Sequence, residues 1–223
     1  MGRNANSMAE WFHRYKNFGQ SGDVVFITTT ILDFVPVFSR PHLADLMTGG
    51  LLDDHRHYAA TLYAFVVMPH HIHFLVRLPE RRDASWFLNR VKSNAAKRLL
   101  PHTDAELRRS LAVQQGLNQR MFWRPSFRSF PVKTLEQFVQ KVEYIHANPV
   151  RAGLCEGPAA YRWSSAWMYE AGIGSWENGL PTDDAIVSRY CDRAELKLPS
   201  RDTTRGDHEA ADENPQPERR VGG

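Results

Sequence analysis

The chain has 223 residues, 42% hydrophobic and 24% charged, with a formal net charge of +3. That is an ordinary globular balance, and no run of 18 or more apolar residues is present, which excludes a helical membrane span. Cys155 and Cys191 are the only cysteines, excluding a disulfide scaffold and a zinc ribbon. A cytoplasmic protein is expected, since residues 1–22 contain no apolar signal-peptide core.

Residues 1–22 read as a polar arm with an aromatic cluster at Trp11, Phe12, Tyr15 and Phe18. VVFITTTI (Val24 to Ile31) is β-branched and aromatic and reads as a strand. Pro41 to His57 carries Leu43, Leu46, Met47, Leu51 and Leu52 at near-helical spacing, with a break expected at Gly49-Gly50. Two strands follow, Leu62 to Val67 and Ile72 to Leu78. A helix then runs from Asp83 to Leu100, with Phe87, Leu88, Val91, Ala95 and Leu99 as its apolar stripe, and Pro101 ends it. FWRPSFRSFPV (Phe122 to Val132) reads as an irregular aromatic strand. The next helix opens at Thr134-x-x-Gln137, a capping box, and Asn148-Pro149 closes it.

This order gives an α+β fold: an antiparallel sheet with helices packed on one face. The expected organisation is an arm (1–22), one domain (23–170), an extension (171–198) and a disordered charged tail (199–223).

Charge is unevenly placed. Between Arg81 and Lys133 there are 12 Lys/Arg against 3 Asp/Glu, whereas Pro199 to Gly223 holds 4 Arg against 6 Asp/Glu. A basic middle and an acidic tail point to a polyanion, above all nucleic acid. Arg90, Lys92, Lys97, Arg98, Arg124 and Arg128 are the residues expected to line its groove. A solvated helix face is the plainer reading of the same charges.

The segment His71 to Leu78 carries chemistry. Alternation in a strand sends Ile72, Phe74, Val76 and Leu78 to the core and His71 and His73 together to the other face. Two imidazoles so spaced can grip one cation, although His-x-His alone does not define a metal site. The metallo-hydrolase pattern His-x-His-x-Asp-His is broken, since apolar residues follow His73. His70, just before the strand, is not counted as a ligand.

In the last helix Leu135, Phe138, Val139, Val142 and Ile145 form one apolar stripe. At 100° per residue Tyr144 falls roughly 180° from Leu135, and Asn148 one turn further on. Tyr144 is therefore displayed rather than packed. A cation site, a displayed tyrosine and a basic surface make a phosphoryl-transfer set: the cation polarises a phosphate and the phenol oxygen attacks it. A phenol is protonated at neutral pH and needs activation. His146 is a candidate base, but it lies within the apolar stripe.

Three motifs resemble one family. VMPHHIHFLV is similar to the Met-Pro-Asn-His-hydrophobic-His motif of single-tyrosine HUH transposases, with His70 in the Asn place. YIHANPVRAGL (Tyr144 to Leu154) and YRWSSAWMY (Tyr161 to Tyr169) resemble successive segments of the REP-associated tyrosine transposases. The resemblance runs from about Val24 to Glu170. It implies a ferredoxin-like fold of the HUH endonuclease type and transesterification of single-stranded DNA at hairpin-flanked repeats. By it, His71, His73 and Asn148 hold a divalent metal, Mg²⁺ or Mn²⁺, and Tyr144 forms a 5′-phosphotyrosine. A monomer or homodimer with no membrane contact is expected, in a bacterial, nucleoid-associated setting.

Two other readings stand beside this one. A non-catalytic module of the same fold would bind single strands by stacking, using Phe122, Trp123 and Phe127 interleaved with Arg124 and Arg128. A domesticated transposase would share the chemistry and act on host repeats.

Overall fold

The computed structural model describes residues 19–115, 122–175, 177–181, 184–191 and 196. The aromatic cluster of the arm and the charged tail lie outside the described residues. The elements are β1 (Val24–Thr30), α1 (Pro41–His57), β2 (Thr61–Met68), β3 (His71–Arg77), α2 (Ala84–Leu99), α3 (Ala105–Gln115), β4 (Arg128–Val132), α4 (Leu135–Arg151), α5 (Ala166–Glu170) and α6 (Asp184–Ser188).

The sheet is antiparallel with order β2-β3-β1-β4, the ferredoxin-like arrangement. Val25, Ile27, Ile72, Phe74 and Val76 alternate toward one face and bury against α1 and α2. Helices on one face were expected, and α1 and α2 meet that; α4 does not. Phe138, Val142 and Ile145 of α4 pack on the opposite face, against Ala64, Val66, Met68 and Leu75. The sheet is sandwiched because both faces of β2 and β3 are apolar.

Three local expectations change. α1 runs unbroken through Gly49-Gly50, because these glycines admit neighbours: a Cβ at Gly49 would strike Cys191 Sγ, and one at Gly50 would lie 2.7 Å from the Arg98 guanidinium. α4 continues through Pro149 to Arg151, with its end set by Gly153 at φ +68°. Thr134 caps it, Gln137 N–H donating to Thr134 Oγ1 at 3.2 Å, while the Gln137 side chain reaches back one residue beyond the cap to accept from Lys133 N–H at 2.9 Å. Leu135, placed on the buried stripe by periodicity, is 74% exposed; burial on α4 begins at Phe138. In the extension, Leu180, Val187, Tyr190, Cys191 and Leu196 are buried in the α1/α2 core.

Candidate active site

Register aligns the site. His71 stands between Thr30 and Met68, and His73 between Thr28 and Val66, all on the α4 face. The two imidazoles share that face as alternation predicts, with ring centroids 4.7 Å apart. The face is covered, and His73 is only 5% exposed. Its Nδ1 lies 2.7 Å from Thr28 Oγ1. Burial, then the neighbouring His71, holds His73 down at about 3; burial, then His70, holds His71 at about 4. Both rings are therefore neutral at physiological pH, the form in which imidazole ligates metal.

α4 brings Tyr144 onto this face. Its ring meets His73 edge-on at 5.5 Å and Phe26 at 5.7 Å, and the residue is 38% exposed. The phenol is thus displayed, as the helical wheel indicated, beside the histidines. One turn earlier, Lys141 Nζ lies 5.1 Å from the Phe26 ring centre, 5.0 Å from Phe130 and 5.9 Å from Tyr144. Lys141 was missed in the sequence, though its i−3 relation to Tyr144 places both on one side of the helix. Asn148 Nδ2 donates to the Tyr144 carbonyl at 2.6 Å, so the amide oxygen is the atom of this side chain with a lone pair for a ligand.

Other candidates take different places. His146 Nε2 is 2.8 Å from Ser165 Oγ, and burial holds the ring at about 4. Tyr161 is buried and its hydroxyl donates to the Val67 carbonyl at 2.9 Å, with burial pushing it up to about 12. The YRWSSAWMY segment is thus scaffolding: Ser165 Oγ accepts from Phe65 N–H at 3.0 Å, and Val67 N–H donates to the Trp163 carbonyl at 2.8 Å.

The expected basic groove is largely not assembled. Arg98 is 5% exposed and pairs with Asp54 at 2.8 Å between α1 and α2. Lys92 is also buried, its Nζ donating to the Arg124 carbonyl at 2.8 Å, and burial lowers its ammonium to about 8. Both are interior because α2 turns them toward α1 and the segment before β4. Arg90 and Lys97 are exposed on α2, across the sheet from the histidines. Arg128 is exposed and pairs in register with Thr28, one strand from His73. The guanidinium of Arg124 sits 4.7 Å over the Phe34 ring. Phe122 and Trp123 are buried core residues, so they offer no stacking surface.

The donor set fits a divalent ion in part. In the tautomer whose Nδ1–H donates to Thr28, His73 keeps its Nε2 lone pair for a ligand. Two neutral imidazoles and an amide oxygen suit a cation that completes its shell with water and phosphate oxygens. No cluster of three His, Cys, Asp or Glu able to hold a metal occurs among the described residues.

A sheet with this histidine pair on one strand and a tyrosine helix laid over it matches the DNA-processing class the motifs pointed to. The IS200-like transposase family model matches residues 45–148, a little under half of the chain. Among solved structures, a REP-associated tyrosine transposase bound to a REP hairpin is similar in fold: TM-score 0.55, 19% identity, covering 77% of this chain and 93% of that one. A putative transposase from Deinococcus radiodurans R1 is 18% identical with a TM-score of 0.37, over 65% of this chain and 95% of that one. No curated protein matches.

Proposed function

We propose that the chain cuts and rejoins single-stranded DNA at hairpin-flanked repeats, with Tyr144 as nucleophile. The observation that carries this is the Tyr144 ring at 5.5 Å from His73, which is itself 4.7 Å from His71. The match to the transposase family model and the fold shared with a hairpin-bound transposase support it. Residues 23–170 form the working unit. The part of 171–198 that is described packs into its core.

In the reaction, the Tyr144 oxygen forms a bond to phosphorus and the bond to the 3′ oxygen breaks. The phenol proton goes to solvent, and the leaving 3′ oxygen takes one up. The product is a 5′-phosphotyrosine with a free 3′-hydroxyl. His71, His73 and Asn148 would hold Mg²⁺ or Mn²⁺, which polarises the phosphate when bound. Thr28 fixes the His73 ring, and Lys141 draws the phosphate toward Tyr144. Arg128 extends the cationic rim. His146 does not take the phenol proton, because its Nε2 is engaged by Ser165. The stacking-module reading loses support, since two of its three aromatics are buried.

The test is a labelled single-stranded hairpin from the DNA flanking the gene, incubated with and without Mg²⁺ or Mn²⁺. A denaturing gel should show a protein–DNA adduct only with the divalent ion. No adduct with either ion on any such hairpin contradicts the proposal.

A further inference from the structure

Beside the histidine strand, the loop between β1 and α1 displays an aromatic ring that the proposed chemistry does not use. Phe34 is 53% exposed. It and Asp33 hold φ of +59° and +49°, left-handed backbone that costs a bulky L-residue free energy where glycine or asparagine would not. The loop is nonetheless fixed: Ile31 N–H donates to the His70 carbonyl at 2.8 Å, and Leu32 N–H to the Phe122 carbonyl at 3.1 Å. Strained backbone held rigid so as to expose a large apolar side chain serves display, not packing.

The surroundings say what the ring is displayed to. The Arg124 guanidinium backs it at 4.7 Å, and the His70 ring meets its edge at 5.5 Å. His70 is in turn 4.7 Å from His71. Arg124 is itself pinned, its N–H donating to the Thr30 carbonyl at 2.9 Å and its carbonyl accepting from Lys92 Nζ at 2.8 Å. A single open aromatic face with a guanidinium behind it fits a ligand that combines π faces with negative charge. An unpaired base on its phosphodiester chain is that ligand.

We propose that Phe34, backed by Arg124 and edged by His70, is a stacking seat for an unpaired DNA base. That this base flanks the scissile phosphate rests on the proposed function; the seat does not.

The test measures binding of an oligothymidylate and of an abasic oligonucleotide of equal length, with no divalent ion and in a Tyr144→Phe background. Equal backbone charge makes the ratio of affinities report the bases alone. The oligothymidylate should bind about tenfold tighter, and Phe34→Ala should bring the two within about twofold while leaving abasic binding unchanged. Phe34→Trp should retain the preference. Phe34→Gly should lose it with an unchanged or higher melting temperature, because glycine relieves the backbone strain. A preference that survives Phe34→Ala, or a variant that weakens both ligands equally, overturns the seat. A preference in a protein that forms no adduct overturns the nuclease reading alone; an adduct without a preference overturns the seat alone.

Discussion

Replacing Arg98 with Met tests whether this residue belongs to the interior or to a DNA groove. Arg98 Nη2 lies 2.8 Å from Asp54 Oδ1 and Nη1 3.1 Å from Asp54 Oδ2, a bidentate pair with both side chains nearly sealed from water. Asn94 Nδ2 donates to the same carboxylate at 2.9 Å. Removing one partner of a buried pair leaves an uncompensated charge, at a cost of about 3–5 kcal/mol. For a domain of this size that lowers the melting temperature by about 10 °C. Burial already raises the Asp54 carboxyl, with Arg98 the chief opposing influence, so without Arg98 it rises further. A carboxyl raised in the folded state loses stability as pH rises through its folded pKa. The deficit of Arg98→Met relative to the parent should therefore be larger at neutral pH than in mild acid. Adding Asp54→Asn should recover part of it, since the amide keeps an acceptor for Asn94. Urea unfolding at several pH values gives the first readout, and single-stranded DNA affinity of the folded variants the second. A variant of parental stability with weakened DNA binding would refute the interior assignment and restore Arg98 to the groove.

Further outcomes follow from other groups. Burial holds His55 at about 4, its Nδ1–H bonded to the Ala60 carbonyl at 3.2 Å. Because the unfolded chain takes up this proton first, stability should fall as pH drops from about 6.5 to about 4, by up to about 3 kcal/mol. His55→Gln should remove only its own share of the fall in a urea-measured profile, because burial also lowers His71, His73 and His146 into this range. Lys141→Met should slow adduct formation about tenfold and reduce the salt slope of DNA binding by about one, with Lys141→Arg restoring both. An unchanged slope would remove Lys141 from the phosphate path. Ser165→Ala strips partners from the Phe65 N–H and His146, and should cost about 1–3 kcal/mol in chemical unfolding.

What could be read from the sequence followed from periodicity. Period-2 alternation put His71 and His73 on one face, and the helical wheel put Tyr144 off the buried stripe; both are local geometry. The sheet face chosen by α4 is a tertiary fact. Thr28 and Thr30 make β1 look half solvated, and they are; α4 seals β2 and β3 instead, while only Phe26 of β1 lies against Tyr144 and Lys141. The basic groove failed because charge counting is blind to depth. Arg98 had its signal elsewhere, in Gly49-Gly50 and Asp53-Asp54 on α1, a close helix approach with an acid waiting for a buried cation. Phe34 had almost no signal, since its exposure depends on two left-handed residues that no hydrophobic pattern marks.

The most direct measurement pairs two variants in one adduct assay, Tyr144→Phe and Tyr161→Phe, on a labelled single-stranded hairpin with Mn²⁺. Tyr144→Phe removes one oxygen from a half-exposed ring and should abolish the adduct while sparing DNA affinity and stability. Tyr161→Phe deletes a buried hydroxyl bonded to the Val67 carbonyl, and should cost about 1 kcal/mol of stability while leaving the adduct intact. An adduct that persists in Tyr144→Phe and vanishes in Tyr161→Phe would contradict the account.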